Sequence, residues 1–194
     1  CTYDLKAFLF YFLSFTWGII MSIIGCFATL VLLIAGKKPK KYRCGWYFVV
    51  GKNWGGVNFG PCFVVGEMNT SSIPHEYGHA IQNCIFGPLF PLIVALPSLT
   101  RAGYRDTYFA DKNDIVDVLI ILPVFLGMFI LIASMFHVAI WWLWIVLGAG
   151  IYITLLAIWL VYIEGSKYTN THYPEYDSVW FEGWATRIGK YFSK

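Results

Sequence analysis

Residues 75–79 read His75-Glu76-Tyr77-Gly78-His79. On a helix, His75 and His79 are i and i+4 and stand one above the other on the same face. Two imidazoles at that spacing can hold one zinc ion, and Glu76 beside them can reach a water on that ion. Zinc lowers the pKa of such a water toward neutrality. Glu76 then takes the proton as general base, and the hydroxide attacks a polarised carbonyl. A site of this kind needs a third protein ligand from another element. The tail offers Glu164, His172, Glu175, Asp177 and Glu182. Glu182 opens Glu182-Gly183-Trp184-Ala185-Thr186, inside an amphipathic stretch over 178–191 that reads as a helix.

The element that must present the two histidines is a helix over 74–99. Pro74 suits its first turn, and Ser71 or Ser72 is the expected cap. Pro88, Pro91 and Pro97 fall in its second half, so it is expected to be half regular and half bent. Gln82 and Asn83 lie about one turn beyond His79, where they can hydrogen-bond ligands or substrate. Tyr77 points to a different face and reads as packing. His172 and Tyr173 precede the Glu182 helix, and either can serve as an oxyanion donor.

The surroundings of this motif are apolar. The 194 residues are 58% hydrophobic, 20% aromatic and 13% charged. A soluble domain is typically about 25% charged, so the balance excludes a disordered chain, a coiled coil and an ordinary water-soluble domain. A net charge of +3 is too small to imply nucleic acid. Five cysteines without a CxxC pair predict no disulfide framework. The run 7–36 is uncharged and long enough to span a bilayer, and five basic residues follow within 37–43. Such a cluster marks the cytoplasmic side and can touch anionic lipid. Residues 44–68 read as a β-hairpin on the membrane surface, with strands at 46–50 and 62–65 and turns between them. The block 115–163 is broken only by Asp117 and His137 and suits two spans, 115–134 and 143–163, with a turn over 135–142. Asp111, Asp114 and Asp117 read as the acidic start of the first of these two.

Topology connects these segments to the site. If 74–99 crosses the membrane, Glu182 lies opposite the histidines and eight of the 14 basic residues fall outside. If 74–99 dips in and returns, only Lys6 is outside and 13 of the 14 are cytoplasmic. The positive-inside rule selects the second arrangement. The expected fold is therefore an all-α membrane bundle with a small β-hairpin. It has about three transmembrane helices, a re-entrant HExxH helix and a C-terminal amphipathic helix, in one domain. The N-terminus is outside and the site is on the cytoplasmic side.

Two resemblances add to this reading. The HExxH together with a late ExxA resembles gluzincin-type membrane peptidases such as the HtpX group, in which ExxAD supplies Glu as third ligand. By that likeness His75, His79 and Glu182 hold Zn2+. The family's Asp, which braces a metal histidine, is replaced here by Thr186. The string HEYGHAIQN after a Gly-rich aromatic segment is also similar to small bacterial integral-membrane proteins of the HEYGH type, which implies a zinc metallopeptidase of a bacterial cytoplasmic membrane. Site-2 proteases place HExxH in a membrane helix too, but their Asp-Gly third motif is absent. The expected partners are membrane lipid and a peptide or protein substrate. The competing expectation is a non-catalytic membrane protein whose metal site is structural or accessory.

Overall fold

The computed structural model describes residues 2–107, 140–167 and 175–193. By contact the chain divides into two compact units, one of Cys1–Ser98 with Glu175–Lys194 and one of Leu99–Pro174. The fold is mostly helical, with one four-stranded mixed sheet.

The first apolar run does not form one straight span. It makes α1 (Thr2–Phe15) and α2 (Ile19–Ile34), bent from each other by 95°. At the break, Gly18 N donates to Leu13 O at 2.8 Å, one residue out of α-helical register. The break is held from α3 (Ile73–Phe86): Trp17 Nε1 donates to Ile85 O at 3.1 Å, and a Cβ on Gly18 would collide with the Asn83 amide. Apolarity is visible in sequence, but this bend is set by a tertiary contact.

The sheet also departs from the expected hairpin. Strands β1 (Lys40–Tyr42), β2 (Gly45–Val49), β3 (Gly56–Phe59) and β4 (Cys62–Val65) lie in the order β1-β2-β4-β3. The two strands expected from sequence, β2 and β4, are neighbours but parallel. A parallel pair needs a crossover of about a dozen residues, and 50–61 supply it. That crossover contains β3, which the sequence reading assigned to turns. The tight hairpin is β3–β4, closed by Gly60-Pro61 with Gly60 at φ +72°, a conformation glycine adopts without cost. Both faces of the sheet are apolar. Phe63 and Val65 pack with Phe10, Tyr77, Ala80 and Cys84, while Phe48, Cys62 and Val64 pack with Leu32, Val57 and Phe59 on the other face.

A 3₁₀ turn over Glu67–Ser72 runs directly into α3. The expected serine cap is therefore not made: Ser72 has helical backbone angles, and its hydroxyl donates to Asn69 O at 2.6 Å. The preceding turn already supplies backbone carbonyls where a cap would act. Gly87, at φ +55°, ends α3. A 3₁₀ turn at Gly87–Leu89 and a π-helical turn at Pro91–Ala95 follow, leading into α4 (Leu96–Thr107). The helical segments Glu67–Leu89 and Pro91–Gly103 are bent by 117°, as the prolines predict.

Among the described residues of the second unit, α5 (Ile140–Ile158) continues through a π-helical turn to Glu164. The stretch Trp144–Lys167 is the one described helix long and apolar enough by itself to cross a membrane. The two bent pairs reach that length only if each counts as one span. Glu164 is buried and paired with Arg101 at 2.5 Å and Lys167 at 3.0 Å. The expected span 115–134, the turn 135–142 and the acidic residues at 111–117 lie outside the described residues. The last helix, α6 (Trp180–Ser193), belongs to the first unit and packs along α3.

Candidate metal centre

Helices α3 and α6 meet backbone to backbone. A Cβ on Gly78 would collide with the Ala185 carbonyl oxygen, and one on Gly189 with that of Pro74. This approach brings the first turn of α6 over the face of α3 that carries His75 and His79. The Nε2 atoms of the two histidines are 3.1 Å apart, and each is 3.1 Å from Glu182 Oε2. Three ligand atoms thus form a near-equilateral triangle. A tetrahedral site with bonds of about 2 Å has ligand–ligand edges of about 3.3 Å, so the triangle fits one small cation. Glu182 is fully buried, and its Oε1 has no hydrogen-bond partner. Ser98 also hydrogen-bonds the Glu182 carboxyl group, and a cation in the triangle would satisfy the oxygen left over. Burial pushes the Glu182 carboxyl up, but bonds from His75 and His79 and the charge of His79 outweigh it, so it sits well below the usual carboxylate range.

The outer face of each imidazole is held as firmly as the inner one. His79 Nδ1 lies 2.7 Å from Gln82 Oε1, and Gln82 Nε2 donates to Phe181 O at 2.8 Å. The amide's N–H group is thereby committed to α6, leaving its oxygen to accept from His79. His75 Nδ1 lies 2.8 Å from Thr186 Oγ1, which donates to Asp177 Oδ1 at 2.8 Å. A hydroxyl has one proton to give, and a carboxylate only accepts. Thr186 therefore gives its proton to Asp177 and accepts from His75 Nδ1–H. With a metal in the triangle, each histidine would keep its proton on Nδ1 and present the Nε2 lone pair to the ion, which is the tautomer a metal requires.

Glu76 is 5% exposed, and its peptide oxygen accepts from Asn58 Nδ2 at 3.0 Å. Its carboxylate lies against Gly56 of β3, where an added Cβ would come within 2.5 Å of Oε1. The sheet is thus shaped to admit this side chain.

The structure brings His75, His79 and Glu182 together, with Glu76, Gln82 and Thr186 around them. These three ligands can hold a metal ion. Other candidates are placed elsewhere. Glu164 is occupied by Arg101 and Lys167, and Glu175 is exposed. Asn83 faces the α1–α2 break, where its Nδ2 donates to Gly18 O at 3.4 Å, and not the site. Tyr77 stacks on Phe10 at 5.9 Å, as its face on the helix predicts. His172 and Tyr173 lie outside the described residues. Asp177 is the residue whose role sequence reading missed. From sequence it stands only among the candidate metal ligands, and nothing in its spacing from Thr186 reveals a brace. The 3₁₀ turn Tyr176–Ser178 carries it back over α6, on which it rests at Gly183. Comparison of the chain with protein-family models, curated proteins and solved structures gave no match.

Proposed function

We propose that this chain is an integral-membrane zinc metallopeptidase that hydrolyses peptide bonds near the cytoplasmic face, with Glu76 as general base. The observation that carries this reading is the His75–His79–Glu182 triangle, each histidine braced at Nδ1 and a buried glutamate beside it. Zinc held there supplies Lewis acidity and lowers the pKa of water toward neutrality. The protein's part is the rest. Gln82 and Thr186 fix the tautomers, Glu182 offsets the cation's charge, and Glu76 receives the proton of the attacking water and passes it to the leaving amine. Strand β3 lies at the edge of the sheet against Glu76, so an extended substrate chain pairs with it by backbone hydrogen bonds.

The membrane part of the reading rests on Trp144–Lys167, on the two bent helical pairs taken as re-entrant or spanning segments, and on the outward apolar side chains of α1 and α2, such as Phe8 and Phe27. The basic residues of 37–43 and of α6 then face the cytoplasm, with the N-terminus outside. A bacterial cytoplasmic membrane is the proposed location.

The test is metal content and peptide hydrolysis by the detergent-purified chain. Wild type should carry close to one zinc, and Glu182→Ala should lose most of it. Glu76→Gln should keep the zinc and lose hydrolysis by about 10²–10⁴-fold, the usual contribution of a general base. Zinc retained with no hydrolysis by wild type across a broad peptide library would favour the structural-metal alternative. Hydrolysis surviving in Glu76→Gln would remove the mechanism.

A further inference from the structure

The sheet face turned away from the metal centre borders a cleft of about 530 Å³ between α1, α2 and strands β2 and β4. Its walls include Tyr11, Phe15, Cys26, Thr29, Leu30 and Phe48. The α2 residues recur every three to four positions, so one helix face lines it. That face alternates the small residues Gly25, Cys26 and Thr29 with Leu30 and Leu33. Helix and sheet touch at Gly25, where a Cβ would collide with Phe59 O, and Cys26 and Thr29 leave the space open.

Four polar side chains of the wall pair with one another. Thr29 Oγ1 donates to Cys62 Sγ at 3.2 Å, and Trp46 Nε1 donates to Tyr11 OH at 2.9 Å. A peptide lying there would leave its own N–H and C=O groups unpaired, at considerable cost. A hydrocarbon chain has none to satisfy. The mouth has the opposite character. Pro39 and Trp46 line the cleft, and Lys41 Nζ stands 5.8 Å from the Trp46 ring centroid. Lys37, Lys38, Lys40 and Lys41 are exposed, and none forms an ion pair among the described residues. An apolar slot that opens beside four unpaired cations complements a long acyl chain ending in an anionic phosphate.

We infer that this cleft is a binding site for one anionic phospholipid, its acyl chain between α2 and the sheet and its phosphate among Lys37–Lys41. The inference rests on the membrane reading above for its source of lipid, but not on catalysis. The experiment titrates the full-length detergent-solubilised chain with palmitoyl-oleoyl phosphatidylglycerol or with its phosphatidylcholine counterpart, and counts bound lipid by native mass spectrometry. One phosphatidylglycerol per chain is expected, held at least about tenfold more tightly than phosphatidylcholine. Changing the four lysines to Gln should bring the two lipids to equal affinity. Cys26→Trp, which fills the slot, should abolish retention of both, and Thr29→Phe repeats the test on a second wall. Far-ultraviolet circular dichroism and the thermal midpoint of each variant in detergent report whether it is folded, without reference to metal. No lipid on wild type, equal retention of both lipids, or full retention by both folded slot-filled variants would each overturn the site. Carbonate extraction of cell membranes separates this from the membrane reading: release of the chain into the wash refutes membrane integration. A chain that stays in the pellet yet binds the two lipids alike refutes only the site.

Discussion

The Thr186 hydroxyl shows how little chemistry separates a competent ligand from an incompetent one. An imidazole that rotates away or carries its proton on Nε2 cannot bind a metal through Nε2, the nitrogen that faces the triangle here. In this chain, Asp177 removes that freedom from His75 at one remove, through Thr186. Groups that brace a ligand typically contribute 10- to 100-fold to metal affinity. Thr186→Val is therefore expected to weaken zinc by about 10- to 100-fold in competition with a chromogenic chelator. Asp177→Ala should weaken it less, because the hydroxyl remains as an acceptor for His75. Equal affinity in wild type and Thr186→Val would mean that the relay positions nothing. The same reasoning covers Gln82, whose amide is fully buried and tied to Phe181 O. Gln82→Leu should lower zinc affinity through His79 and leave the fold intact.

At the scale of elements, the site exists because α3 and α6 pack without intervening side chains. Gly78 lies within the HExxH motif and Ala185 within the ExxA, so each motif carries both a ligand and the small residue that lets the other approach. Gly78→Ala and Gly189→Ala are expected to destabilise the chain by about 1–3 kcal/mol, the usual cost of overpacking. Both should also reduce bound zinc, because Glu182 moves with α6. Gly148→Ala on α5, where an added Cβ meets nothing within 4 Å among the described residues, is the control and should not destabilise the chain, alanine being the better helix former by up to about 1 kcal/mol. Thermal unfolding alongside metal analysis reads both effects. A loss of stability with full zinc retention would show that the ligands do not depend on this packing.

For the whole molecule, a metal bound at the triangle would be linked to the fold, because it binds only where α3 and α6 bring the three residues together. Zinc at a hundred times its Kd stabilises the protein that binds it by about 2.7 kcal/mol. Stripping it with a chelator should then lower Tm by about 5–10 °C in a chain of this size, and zinc should restore it. The metal-free chain has its own pH signature. Glu182 binds a proton less readily when folded than when unfolded, because His75 and His79 donate to its carboxylate. Its contribution is complete above the ordinary carboxylate pKa of about 4.3 and is lost as the pH falls toward the lower folded value. Glu182→Gln should flatten the acid limb of the Tm profile below about pH 4.3. Burial pushes the His79 imidazole down, but Glu182 outweighs it and holds the group above its ordinary pKa of 6.5, so the variant should also lose the His79 contribution that is present below that pH. An identical acid limb in the two proteins would show that Glu182 is not held ionised by the histidines.

Local spacing was enough to find His75, Glu76 and His79, since i,i+4 geometry follows from the helix itself. It was enough to expect a bent second half of that helix, since proline lacks the donor and clashes with the preceding turn. The choice of Glu182 from five acidic or histidine candidates drew on charge bias and on resemblance, not on spacing. The remaining features depend on contacts between residues far apart in the chain. The 95° break in the first apolar run is held by Trp17 and Gly18 against α3, and a hydropathy pattern carries no record of that contact. The parallel pairing of β2 with β4 depends on where β3 returns, while alternation within each strand is the same for either direction. The Asp177–Thr186–His75 relay joins a turn to two helices. Sequence alone determined which residues can do the chemistry, because that is a property of side chains and local periodicity. Tertiary structure decided their protonation and their company, because both are set by neighbours that only folding brings within 3 Å.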